Sequence, residues 1–214
     1  MALELERDGK SGWSRLSRRF RGGTEGNARL TALTAVVLLV LLASEGATVP
    51  FVRQLLTEHI FIGLLLIPPV LLKLASITWR FARYYLGAVE YVAKGPPPAL
   101  MRLLVAPLVV ASTLSLFGTG VLLVLLHPQR GIVLGLHKAS FLVWLAAMSA
   151  HVLGHIVEVP GLARSDFDRP LPGARMRQFL VASAIVAGLI VATAGLPAAH
   201  EWAYWAALHH RHDR

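Results

Sequence analysis

Three histidines in one apolar stretch, His137, His151 and His155, stand 14 and 4 positions apart. At about 100° per residue of α-helix, all three fall on one face. At a rise of about 1.5 Å per residue, His151 lies about 21 Å beyond His137 along the helix axis. Imidazole binds metals, relays protons and bridges helices, so this one helix offers it at two depths. A second apolar stretch carries His59 near its start, at the depth of His137, and fourteen positions further on it carries Lys73 where an imidazole would match His151. Ionisable groups inside so apolar a stretch are costly and point to function.

The stretches themselves are long. The chain has 214 residues, of which 55% are hydrophobic and 15% charged, with a mean hydropathy of +0.59, more apolar side chain than one globular core hides. Five segments approach the roughly 20 apolar residues that cross a bilayer as a helix: 30–49, 60–79, 103–126, 131–157 and 179–199. The predicted fold is therefore all-α, an integral membrane bundle of five transmembrane helices. The first segment is the weakest, because its uncharged run stops at Ala43 and Glu45 follows.

Lysines and arginines collect in cytoplasmic segments. Here 7 lie in residues 1–29, 4 in the connection 80–102 and 4 in the connection 164–177, against 4 in the opposite set (Arg53, Arg130, Arg211 and Arg214). The N-terminus is expected in the cytoplasm and the C-terminus outside, in a multi-pass protein of the cell's inner membrane. Residues 1–29 read as a basic cytoplasmic arm on a retained anchor rather than a cleaved leader, 30–199 as the membrane domain, and 200–214 as an outer, His-rich interfacial tail. Gly95 and the three prolines after it are expected to end the second helix. Trp202, Tyr204 and Trp205 read as an interfacial aromatic belt. The net charge of +9 is not interleaved with aromatics, so nucleic acid is not an expected partner. With no cysteine, disulfides, thiolate metal sites and cysteine nucleophiles are excluded.

A flat iron porphyrin buried in a helix bundle needs axial imidazoles from two facing helices at equal depth. His59 and His137 meet that requirement as the axial ligands of one haem b, with spans two and four read as antiparallel neighbours. Gly63 and either Gly135 or Ala139 would let the ring approach the backbone. At the other depth, Lys73 could neutralise a propionate, ligate iron as a free amine, or snorkel toward Arg80 and Arg83. His151 and His155 could ligate a second haem, hold a quinone headgroup or relay protons. Lys138 and Glu45 are candidate charged neighbours of the site. Thr113, Ser115 and Thr119 read as ordinary interhelical hydrogen bonds. His127 and His200 read as interface residues, and His209, His210 and His212 as solvated.

His59 in "TEHIFIGLLLIPPVLLK", with His137 and His151 in "LHKASFLVWLAAMSAHVLGH", resembles the bacterial membrane cytochromes b with a four-helix core. These serve as anchor subunits of formate dehydrogenases and hydrogenases, and as stand-alone cytochrome b561-like proteins. In that family a late helix carries two histidines about 14 apart, each paired with one from an earlier helix. The resemblance covers spans two to five and departs from the pattern at Lys73. It implies one haem, with two as the alternative. It also implies an electron-transfer subunit, rather than a stand-alone enzyme, linking a quinone or quinol pool to a redox partner protein or dehydrogenase subunit, within a homo- or hetero-oligomer. The alternative class is a proton-linked transporter or a scaffold without haem, in which Pro68, Pro69, Gly118 and Gly120 would break helices.

Overall fold

The computed structural model describes residues 22–95, 99–126 and 131–212, with side chains as far as residue 204. Among them there is no strand, and five helices are long and apolar enough to cross a membrane: Gly23–Phe51, Leu56–Tyr85, Met101–Leu126, Gly131–His155 and Ala174–Tyr204. Their outward faces are lined with exposed leucine, valine, isoleucine and phenylalanine. Such surfaces belong in hydrocarbon, where a helix satisfies its own backbone.

Helix α1 (Gly23–Thr48) closes in a tighter 3-10 turn at Val49–Phe51. It therefore starts inside the stretch read as a basic arm and carries Glu45 well within its last turns; residues 1–21 lie outside the described chain. Helix α2 (Leu56–Tyr85) runs unbroken through Pro68 and Pro69. It ends before Gly87, whose φ of 73° supplies the left-handed stop that a side chain resists. That is earlier than the Gly95 run expected to end it, of which residues 96–98 lie outside the described chain. A short helix α3 (Val89–Ala93) follows, then a π-helical turn at Met101–Val105 that leads into α4 (Ala106–Leu126). Helix α5 (Gly131–His155), the short amphipathic α6 (Glu158–Asp168) and the long α7 (Ala174–His212) complete the chain.

The helices form two groups. Helix α2 packs extensively on α7 and on α1, α6 packs on α1, and α4 pairs with α5. The groups touch each other only sparsely, where α4 approaches α2 and α7. An apolar groove of about 450 Å³ runs along that seam between Ile67, Val70, Leu71 and Leu74 on α2 and Phe117 and Gly118 on α4.

Small residues make the α2–α7 contact. Gly188, Ala192, Gly195 and Ala199 recur on α7 at spacings of 4, 3 and 4, and both alanines are fully buried. Such a stripe lets helix backbones approach closely in lipid. Pro69 has no N–H to give the carbonyl of Leu65, and it is this carbonyl oxygen that lies against Gly188. A methyl group there would collide with rigid backbone, and overpacking of this kind costs about 1–3 kcal/mol. Gly188→Ala is therefore expected to lower the unfolding midpoint in detergent clearly, whereas Gly118→Ala, which meets open space, leaves it within error.

At the ends of α1, α6 and α7 that lie together, Asp166 is buried between two arginines. Arg177 donates from Nε to both carboxylate oxygens at 3.1 and 3.0 Å and pairs again through Nη2. Arg29 stands 3.8 Å from the same carboxylate and donates to the carbonyls of Ser165 and Arg169, each at 2.7 Å. The side chain of Asp166 is completely inaccessible. Nothing in the local patterning of residues 158–177 announces this lock.

Candidate functional site

His59 enters α2 in its first turn and His137 enters α5 in its second. Their rings meet with centroids 6.5 Å apart and planes at 87°. Both helices start at this end, so α2 and α5 run in the same direction. This corrects the antiparallel reading: alternate spans of a multi-pass chain are parallel, and equal depth follows because both histidines lie near the starts.

Each ring is gripped from behind at Nδ1. His59 Nδ1 lies 2.8 Å from Thr48 Oγ1 and 3.0 Å from Glu45 Oε1, both on α1. The Thr48 hydroxyl donates to the Glu45 carbonyl at 2.6 Å, and its oxygen is then free to accept from His59. His137 Nδ1 lies 3.1 Å from Thr119 Oγ1 on α4. That hydroxyl likewise donates to the Ser115 carbonyl at 2.7 Å. With the Nδ1–H of each ring donating to these oxygens, each Nε2 would keep the lone pair that binds metal.

Two imidazoles alone underfill the coordination shell of a protein-bound zinc ion, whereas a porphyrin iron asks the protein for two axial ligands. With metal–imidazole bonds of about 2 Å on either side, two trans imidazoles have ring centres roughly 6 Å apart. The observed separation of 6.5 Å is of that size. The backbones of α2 and α5 do not pack closely on one another. Gly120, rather than the expected Gly135, is the glycine that sits under His137, where an added methyl group would come within 3.3 Å of the ring's Cε1; Gly135 faces open space and Ala139 is exposed. Gly63 packs near Glu45 Oε1. The other oxygen of Glu45, Oε2, is buried with no hydrogen-bond partner among the described residues.

The remaining residues of interest divide between a second cluster and the surface. His151 and His155 meet edge to face, with ring centroids 4.9 Å apart and planes at 61°, and Lys73 lies near His151. Lys73 donates to the Thr31 carbonyl of α1 at 2.7 Å, above a hydrogen-bonded patch of Thr31, Ser76 and Asn27. His155 stands 4.0 Å from Glu158. The two clusters thus sit at opposite ends of the same pair of helices. Lys138 and His200 are exposed, His127 lies outside the described residues, and so do the side chains of Trp205, His209, His210 and His212. Trp202 donates to the Leu123 carbonyl at 3.0 Å and so ties α7 to α4.

No family model, no curated protein and no solved structure matches the chain.

Of the polar residues on α4, Thr113 accepts from Trp144 Nε1 at 3.1 Å and Ser115 bonds Ser140 at 2.7 Å. These are interhelical bonds, as expected. The bond from Thr119 is interhelical too, but its partner is His137, which makes it part of the site. Thr48 escaped the sequence reading altogether, although it stands one helical turn after Glu45, where the two side chains share a face.

Proposed function

We propose that the chain is a haem b-binding electron-transfer subunit of the cell's inner membrane, resembling the four-helix membrane cytochromes b. The observation that carries this reading is the meeting of His59 and His137 across 6.5 Å, each held at Nδ1 by a hydroxyl. Bound there, haem b would supply one-electron exchange. The residues' own task is to hold Nε2 of each ring toward the shared space, to keep water out with the surrounding apolar helices, and to tune the ligands through Thr48, Glu45 and Thr119. The electrons would pass between a quinone or quinol pool and a redox partner protein or dehydrogenase subunit. By the arginine and lysine distribution, the His59 end faces outward, and the end with Arg29 and Arg177 faces the cytoplasm.

The transport alternative drew on helices broken at Pro68, Pro69, Gly118 and Gly120, but α2 and α4 are continuous through those positions. The deciding measurement is a pyridine haemochrome titration of protein purified from membranes. It is expected to give about one haem per chain, or two if the Lys73, His151 and His155 cluster also ligates iron. A ratio indistinguishable from zero after expression with ample haem supply would end the proposal.

A further inference from the structure

At the end of the bundle opposite His59 and His137, one buried donor is left over. The Nε of Arg102 is inaccessible and has no hydrogen-bond partner among the described residues. Such a group in a folded chain calls for a partner, and a bound anion is one that supplies it. A guanidinium stays charged wherever it is placed, so the demand does not lapse with burial. Arg102 belongs to the π-helical turn Met101–Val105 that leads into α4, and turns of this kind gather at functional sites.

The surroundings identify the partner. Met101 lies over Gly154 of α5, where an added methyl group would come within 2.8 Å of its Cε. Gly154 stands between His151 and His155 in sequence, so the turn meets α5 at the end that carries those imidazoles and Lys73. Glu158, 4.0 Å from His155, is largely exposed. Leu100, Leu103 and Leu104, on either side of Arg102, are exposed and belong in hydrocarbon, whereas the Arg102 side chain is half-buried. A ligand therefore reaches it from the lipid rather than from water. The anion available at the end of a span is the phosphate of a phospholipid, whose oxygens match the fork of a guanidinium. Basic pockets between helices on the cytoplasmic side bind such headgroups.

We propose that Arg102 holds the phosphate of an anionic phospholipid of the cytoplasmic leaflet, at the junction of the π-helical turn with α5. An anionic headgroup is favoured because a zwitterionic one brings an ammonium group beside the guanidinium. The site goes beyond the haem reading and stands without it.

The test counts bound molecules by native mass spectrometry as delipidated protein in detergent is titrated with phosphatidylglycerol, phosphatidylcholine or inorganic phosphate. Wild type is expected to retain about one phosphatidylglycerol per chain tightly. Arg102→Gln is expected to weaken that binding about tenfold or more, the worth of one charged hydrogen bond. Arg102→Lys keeps the charge but loses the fork; it is expected to weaken binding by less, and it serves if the glutamine variant does not accumulate. Arg80→Gln, at an exposed position, is expected to bind like wild type. Undiminished binding in the Arg102 variants, an equal loss in Arg80→Gln, or phosphatidylcholine held as tightly as phosphatidylglycerol overturns the assignment. Occupancy by inorganic phosphate in place of lipid overturns it too.

Discussion

Purified His59→Ala and His137→Ala proteins are each expected to lack the reducible Soret and α bands of low-spin haem b, even when haem is supplied in excess. Losing groups that merely support a ligand costs about 10–100-fold in metal affinity, and losing a ligand itself costs more. The damage at His59 is compounded, because Thr48 and Glu45 would face an empty space with their acceptors unused. A buried polar group left without its partner costs about 1–3 kcal/mol. His200→Ala, at an exposed position, is expected to keep full haem content and an unshifted spectrum. Haem-to-protein ratio and spin state are the quantities to measure. A normal low-spin spectrum at undiminished ratio in either ligand variant would show that iron is held elsewhere and would undo the pairing.

Asp166→Ala is expected to be the most damaging change away from the histidines. The carboxylate is inaccessible, and the side chains of Arg177 and Arg29 are 5% and 9% exposed. Its removal strands the buried Arg177 guanidinium and leaves Arg29 with Glu25, 3.3 Å away, as its counter-charge. Breaking a buried pair on one side costs roughly 3–5 kcal/mol, enough to consume much of the stability of a chain this size. Accumulation in membranes and the denaturant midpoint in detergent should both fall sharply. Replacing Asp166 and Arg177 together by leucine should recover part of the loss, because no charge is then stranded. A single variant that melts like wild type would show that α6 is held to α1 without this carboxylate.

Much of the architecture was readable before any coordinates because it is local. Apolar runs of helical length announce the five long helices, and spacing along a helix places His59 and His137 at one depth. What escaped depends on neighbours remote in sequence. No local pattern connects Thr119 to His137, which stands on the next helix, or Arg29 to Asp166 and Arg177. Proline drew attention away from the true end of α2: Gly87 ends the helix through its own backbone conformation, before the run that begins at Gly95. The parallel direction of α2 and α5, against the antiparallel expectation, follows from alternation along the chain. The stripe of Gly188, Ala192, Gly195 and Ala199 was present as a repeat of small residues and went unread.

The seam between the two helix groups has a thermodynamic consequence. One imidazole stands on each side of it, each braced by its own group: His59 by α1, and His137 by α4. A metal bound to both nitrogens would therefore fasten together two pieces that the chain itself joins loosely, and cofactor loading and assembly of the bundle would then be one linked equilibrium. Protein produced under haem starvation should open first along this joint, with the α4–α5 hairpin parting from the rest.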